Sequence, residues 1–266
     1  MPIILADNSI IENPQFAPMF TPFNTVAGCM AAWRGDFSVD LTGNGHTLTK
    51  IGSPNQSVNT VLCNKDNGYI TNVPDGINRT LIVVHRLPNT VAPPNQTYSN
   101  PLGNLSQLGT GQGVGIGIVQ ATIAGDNGFQ QMSGCVGADK KDTPLFSKAT
   151  PAQDKPVTNA LKWQWSAFAV DGDNNICAMY IPRQLDDLVV GVNAPGIQLK
   201  NRWVTENNGP SMYRIGAWRD PSTPWIASSS VEIAYAAIYN RPLLLSDLRQ
   251  QYQYDKFYCG QVNIAV

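Results

Sequence analysis

The chain has 266 residues, 42% apolar and only 14% charged, with 18 basic and 19 acidic side chains giving a net charge of −1. Its apolar content excludes a disordered chain. The even charge balance argues against nucleic acid as a partner, because neutralising phosphates takes clustered Lys and Arg, and the densest basic spot, Lys140-Lys141, is flanked by Asp139 and Asp142. No apolar run approaches the ~18 residues of a helical membrane span, so no membrane insertion is expected.

Residues 1–24 differ from the rest. The start, Met1-Pro2-Ile3-Ile4-Leu5, soon meets Asp7 and Glu12 and lacks the basic and continuous apolar regions of a secretory signal, so folding in a cytosol is expected. From Asn13 to Phe23 a proline recurs every fourth residue with aromatics between, which fixes φ and removes donors. That predicts an extended arm. Phe16, Phe20 and Phe23 are its anchors, either strapped over the domain or docked into another subunit.

From residue 25 onward the chain reads as short strands. Tyr69–Val73 runs into the turn signal Pro74-Asp75-Gly76, and the β-branched run Thr80–His85 follows. Between Gln112 and Thr122, Gly113, Gly115 and Gly117 alternate with Val114, Ile116 and Ile118. Period two predicts a strand with aliphatics on one face. Its glycine face is expected to meet either the second sheet or a ligand. Trp163–Val170 and Ile176–Ile181, joined by Asp171-Gly172-Asp173-Asn174-Asn175, predict a hairpin. Met212–Trp218 and Val231–Tyr239 predict further strands. Ser246 is expected to cap one helix, with Asp247 in its first turn, Leu248 and Tyr252 on one face, and Gly260 as its stop. Strands throughout with one late helix predict an all-β sandwich of two antiparallel sheets. The five widely spaced cysteines fit neither a zinc site nor a redox pair and read as free, mostly buried thiols.

Five segments, in order over about residues 30–257, resemble one family. Tyr235-Ala236-Ala237-Ile238-Tyr239-Asn240-Arg241-Pro242-Leu243 followed by Ser246-Asp247 is similar to the closing signature of laminin G-like, concanavalin A-like jelly rolls. The Trp165–Tyr180 hairpin, Tyr213-Arg214-Ile215-Gly216, Asp40-Leu41-Thr42-Gly43-Asn44-Gly45-His46 and Asn67-Gly68-Tyr69-Ile70 resemble its other elements. The resemblance implies a single jelly roll over residues 25–266 with a short C-terminal helix. Members often hold calcium through an early aspartate and an acid near the last strand. Here that implies Asp40 and Asn44 as ligands. The late acid is displaced, with Ala234 and Tyr235 in its place and Glu232 nearby, which weighs against the ion. The alternative is a tight turn in which Asp40 caps backbone amides.

Catalytic chemistry is hard to find. Glycanases on this fold need paired carboxylates aimed at one bond. Of three glutamates, Glu12, Glu206 and Glu232, none has an acid two or four residues away. Asp171/Asp173 falls in the hairpin turn and Asp186-Asp187 in a loop. There is no nucleophile elbow, and the two histidines, His46 and His85, are too few for a zinc site. The sequence thus predicts no catalytic residues and no enzyme activity. Binding has more support. Sugar rings stack on aromatic faces beside fixed polar groups. The loop Trp218-Arg219-Asp220-Pro221-Ser222-Thr223-Pro224-Trp225, with Trp203 near it, offers both. A jelly roll without a signal, with an aromatic arm and free thiols, resembles structural proteins of bacteriophage virions. Such a protein folds in the host bacterial cytoplasm and ends in the virion, as tail, fibre or surface decoration. Its partners there are other virion proteins, copies of itself, and host-surface polysaccharide. The alternatives are a stand-alone carbohydrate-binding lectin and a diverged glycoside hydrolase.

Overall fold

The computed structural model describes residues 23–88, 97–105, 115–122, 130–138, 145–149, 162–202, 205–206, 209–219 and 230–266. In chain order its strands are β1 (Cys29–Arg34), β2 (Leu48–Ile51), β3 (Asn55–Gln56), β4 (Val61–Cys63), β5 (Gly68–Pro74), β6 (Asn78–Arg86), β7 (Thr97–Gly103), β8 (Gly115–Thr122) and β9 (Gln130–Ala138). There follow β10 (Leu145–Ala149), β11 (Gln164–Asp171), β12 (Ile176–Tyr180), β13 (Val189–Val190), β14 (Val192–Asn193), β15 (Thr205–Glu206), β16 (Gly209–Pro210), β17 (Met212–Ile215) and β18 (Val231–Tyr239). Helix α1 (Leu245–Gln261) closes the chain.

Sixteen of the strands form two eight-stranded antiparallel sheets, and β15 and β16 pair with each other. One runs β13-β12-β11-β6-β18-β4-β3, with β1 also paired to β18; the other runs β14-β10-β9-β8-β7-β17-β5-β2. The two sheets make a jelly-roll sandwich, as expected. Alternation along β6 shows how it is built. Leu81 and Val83 join Ile116, Ile118, Val136 and Phe168 in the core between the sheets. Ile82 and Val84 face the other way, onto a second apolar layer with Trp165, Tyr235, Leu248 and Cys259. Helix α1 supplies that outer cover, so the first sheet is buried on both faces. This is why β6 and β18 read as nearly continuous apolar runs rather than alternating ones. Each large side chain so buried contributes on the order of 1.5–3 kcal/mol.

The glycine face of β8 does not meet the opposing sheet. Ile116 and Ile118 point into the inter-sheet core, so Gly115 and Gly117 lie on the outer face of the second sheet, facing no other sheet. The glycine that meets the opposing sheet is Gly134 of β9. A Cβ there would lie 2.0 Å from Cδ2 of Phe168 on β11.

Three local expectations are corrected. The strand predicted to reach Trp218 stops at Ile215, because Gly216 takes φ +73° and its N–H turns to Pro101 O at 3.0 Å. The terminal helix is 17 residues, not short. It is capped not by Ser246 but at Leu244, whose N–H donates to the Asp247 carboxylate at 3.2 Å. Gly260 lies inside its last turn. Asp247 also accepts from Arg241 at 2.7 Å, which holds its carboxyl below the ordinary range. The predicted hairpin is present, with Asp171 opposite Ile176. All five cysteines are free, and four of them are buried.

Candidate functional site

The outer face of the second sheet carries the Trp218 turn. Gly103 of β7 pairs with Gly117 of β8, and a Cβ on Gly103 would meet the Gly117 Cα at 2.5 Å. This bare stripe of backbone lets two carboxamides lie against it. Asn100 donates from Nδ2 to Ala217 O at 3.2 Å, and its Oδ1 sits 3.0 Å from where a Cβ on Gly103 or Gly117 would stand. Asn104 donates its backbone N–H to Ile116 O at 2.8 Å and accepts the Ile116 N–H on Oδ1 at 2.8 Å. Both side chains are essentially fully buried. Even so, among the described residues Asn100 Oδ1 and Asn104 Nδ2 have no hydrogen-bond partner. A buried acceptor and a buried donor left unpaired cost on the order of 1–3 kcal/mol each. A group that both donates and accepts, such as a water or a ligand hydroxyl, can satisfy either atom.

Trp218 adjoins this stripe. Its N–H donates to Lys65 O at 3.4 Å, and its ring packs with Leu105, Val119 and Cys135. At 3% exposure it offers no face for stacking. Trp218 is thus not the stacking indole expected, and Arg219 next to it in the chain is half-buried. Asp220, Trp225 and Trp203 lie outside the described residues. Asn100 and Asn104 were not singled out from the sequence. The only signal was the glycine alternation, whose meaning depends on which face of β8 turns outward.

The expected calcium ligands form a turn. Asp40 accepts from Ala32 N, Thr42 N and Thr42 Oγ1 on Oδ1, and from His46 N and Thr42 Oγ1 on Oδ2, all between 2.8 and 3.1 Å. Those donors occupy the lone pairs a cation would need. Asn44 donates from Nδ2 to Met30 O at 2.7 Å. Both residues serve the turn that fastens β1 to the β2 approach. Among the described residues no cluster of His, Cys, Asp or Glu is arranged to hold a metal.

The acids and histidines take structural places. Asp171 accepts from Asn174 N at 3.0 Å and Asp173 from Asn78 Nδ2 at 2.7 Å, so this pair stabilises the hairpin turn. Glu232 binds Arg86 at 2.6 Å and Thr60 Oγ1 at 2.7 Å. His85 is fully buried between Gln120 of the opposing sheet and Ser166, at 3.1 Å each. Burial drives its pKa down to about 4, so it is neutral at ordinary pH. Of the arm anchors, Phe16 and Phe20 lie outside the described residues. Phe23 is half-buried against the layer under α1, with the Arg34 guanidinium 5.7 Å from its ring centre.

Two buried polar clusters had no sequence signal. Asp75 lies in the predicted turn Pro74-Asp75-Gly76 and is 2% exposed. Its Oδ1 accepts from Tyr213 OH at 2.5 Å and lies 3.5 Å from Arg202. Arg202 also donates to Ile77 O, Leu199 O and Gly76 O, pinning the β5–β6 connection. The second cluster is Asp255 and Gln251 under α1, where Asp255 accepts from Trp165 Nε1 at 2.7 Å.

No family model matches the chain, and no curated protein matches its sequence. Among solved structures it is similar to the botulinum neurotoxin serotype D binding domain, with TM-score 0.55 and 10% identity over 86% of this chain and 51% of that one. The type G receptor-binding domain is similar at 12% identity and the same TM-score, over 86% of this chain and 52% of that one. A serotype D ligand-binding domain in complex with N-acetylneuraminic acid gives 10%, 0.55, 86% and 50%. The chain thus spans about half the length of these domains. At such identities the likeness is one of fold.

Proposed function

We propose that this chain is a non-enzymatic, carbohydrate-binding jelly roll that serves as a structural and adhesive component of a bacteriophage particle. The observation that carries the binding reading is the pair of amide atoms, Asn100 Oδ1 and Asn104 Nδ2, that have no partner among the described residues and lie over the glycine stripe beside Trp218. Polyhydroxyl ligands supply the groups those atoms lack. The neurotoxin domains that share the fold include one solved with a bound sugar, N-acetylneuraminic acid, which supports a glycan over other polar ligands. The virion reading is supported by the arm's spacing and the free thiols.

A single site of this kind is weak, about millimolar or −4 kcal/mol, and useful only as many copies on one particle. Bacterial surface polysaccharides arrayed against the chain displayed multivalently are expected to capture it, and Asn104→Asp, which keeps the acceptor for Ile116 N and deletes the donor, should weaken capture. No capture by any glycan at high density would end the binding reading. Mass spectrometry of purified particles tests the virion reading separately. A glycan-binding chain absent from the particle would be the stand-alone lectin.

A further inference from the structure

Strand β1 lies at a margin of the first sheet. While β6 pairs one edge of β18, β4 and β1 pair successive stretches of the other, β4 at Val231–Ile233 and β1 at Tyr235–Tyr239. Among the described residues no strand pairs the second edge of β1. At six residues it is the longest strand with such an edge, since β2 has four and β3, β13 and β14 have two each. A bare edge is a template for a strand of another chain, and more so the longer it is.

A turn has taken this edge instead. The Phe37 N–H donates to Arg34 O at 3.3 Å, and the Leu41 N–H to Ala32 O at 2.9 Å. The Ala32 N–H donates to Asp40 Oδ1 at 3.1 Å. Met30 O accepts from Thr42 Oγ1 at 3.1 Å and from Asn44 Nδ2 at 2.7 Å. The side chains of Asp40, Thr42 and Asn44 thus stand in for the backbone of a neighbouring strand. Asp40 also accepts from Thr42 N and His46 N, so the shape of the turn and its grip on β1 rest on one carboxylate. Gly43 at φ +75° and Gly45 at φ +78° let the chain double back on either side of Asn44.

We propose that residues 37–46 are an edge guard, which keeps β1 from pairing with β1 of a second copy of this chain.

A second copy is the partner the edge fits. Ala32 turns both its N–H and its C=O away from β18. Across a two-fold axis it would exchange both bonds with Ala32 of the second copy, and Met30 O would meet the Arg34 N–H of that copy. The contact is self-complementary and antiparallel, and the guard occupies the backbone groups it needs.

Light scattering of the full chain over a concentration series tests this, together with hydrogen exchange at the Ala32 amide. The wild type should hold one oligomeric state, with Ala32 protected at every concentration. Asp40→Ala deletes the acceptor of the Ala32 N–H. It should form dimers of the wild-type species as concentration rises. In the dilute variant Ala32 should exchange about tenfold faster than in the wild type, and it should regain protection on association. Thr42→Val with Asn44→Ala takes both side-chain donors from Met30 O, leaves Asp40 in place, and should raise association in the same direction. Asn78→Ala is the control. It removes contacts to Gly172 and Asp173 at a turn separated from β1 by β18, and should leave association unchanged. A folded Asp40→Ala chain, or a folded Thr42→Val/Asn44→Ala chain, that associates no more than the wild type overturns the guard. So does association of Asp40→Ala without renewed protection of Ala32, or equal association of Asn78→Ala. If Asp40→Ala does not fold, the Thr42→Val/Asn44→Ala chain decides.

Discussion

Replacing Gly134 by alanine tests the packing between the sheets through the sign of its effect. Gly134 has an ordinary strand conformation and pairs with Ile118 on β8, so the backbone accepts a side chain there. In a strand interior, alanine without neighbours would stabilise by roughly 0.5–1 kcal/mol, through the reduced freedom of the unfolded chain. Yet the new Cβ would stand 2.0, 2.4 and 2.5 Å from Cδ2, Cε2 and Cγ of Phe168. Phe168 is fully buried and its ring cannot swing aside without displacing the core. Overpacking of this kind costs about 1–3 kcal/mol, so Gly134→Ala should be clearly destabilising. At about 2–4 °C per kcal/mol for a domain of this size, the melting temperature should drop by several degrees. In a Phe168→Ala background, itself about 3–5 kcal/mol less stable, the same substitution should become neutral or stabilising. Urea unfolding of the four chains gives the coupling directly. Additive effects, or a stabilising Gly134→Ala in the intact core, would refute the close approach of the two sheets at this point.

Two further outcomes follow from the buried polar groups. His85 has a depressed pKa of about 4, below the ordinary 6.5, so the unfolded chain binds more protons between those values. The stability His85 confers is complete above about pH 6.5 and is lost as pH falls toward about 4, by roughly 3 kcal/mol. Asp255, with its pKa raised to about 7, has the opposite slope over the same window. Replacing His85 by Gln should therefore make stability fall more steeply as pH rises from about 4 to 6.5, and an unchanged pH profile would refute its neutral burial. Arg202→Met should cost about 3–5 kcal/mol in thermal unfolding, because it strands the Asp75 carboxylate, and adding Asp75→Asn should restore part of the loss. A single variant as stable as the parent would show that the pair is not buried in solution.

Much of the fold was legible because strand periodicity and turn chemistry are local. The β6 and β18 runs, the Trp165–Tyr180 hairpin and the alternation of β8 each follow from side chains close together in the chain. The sequence could also show that no carboxylate pair stood outside a turn or loop. It could not show which face of β8 turns outward, since alternation defines two faces without ranking them. Only the pairing of Gly103 with Gly117, and of both with the Asn100 carboxamide, made the glycine stripe an outer surface with two unsatisfied amide atoms. The same holds for Trp218: an indole next to arginine and proline reads as a surface group until the left-handed Gly216 turns the chain and the ring packs on Leu105, Val119 and Cys135. Asp75 and Asp255 look like ordinary solvated acids in their segments. Their burial is set by Arg202, which arrives from more than a hundred residues away, and by Trp165, ninety residues distant across the sheet. Local chemistry decides what a segment can form, but the pKa of a buried carboxyl, the partner of an amide and the exposure of a ring depend on what is packed against them.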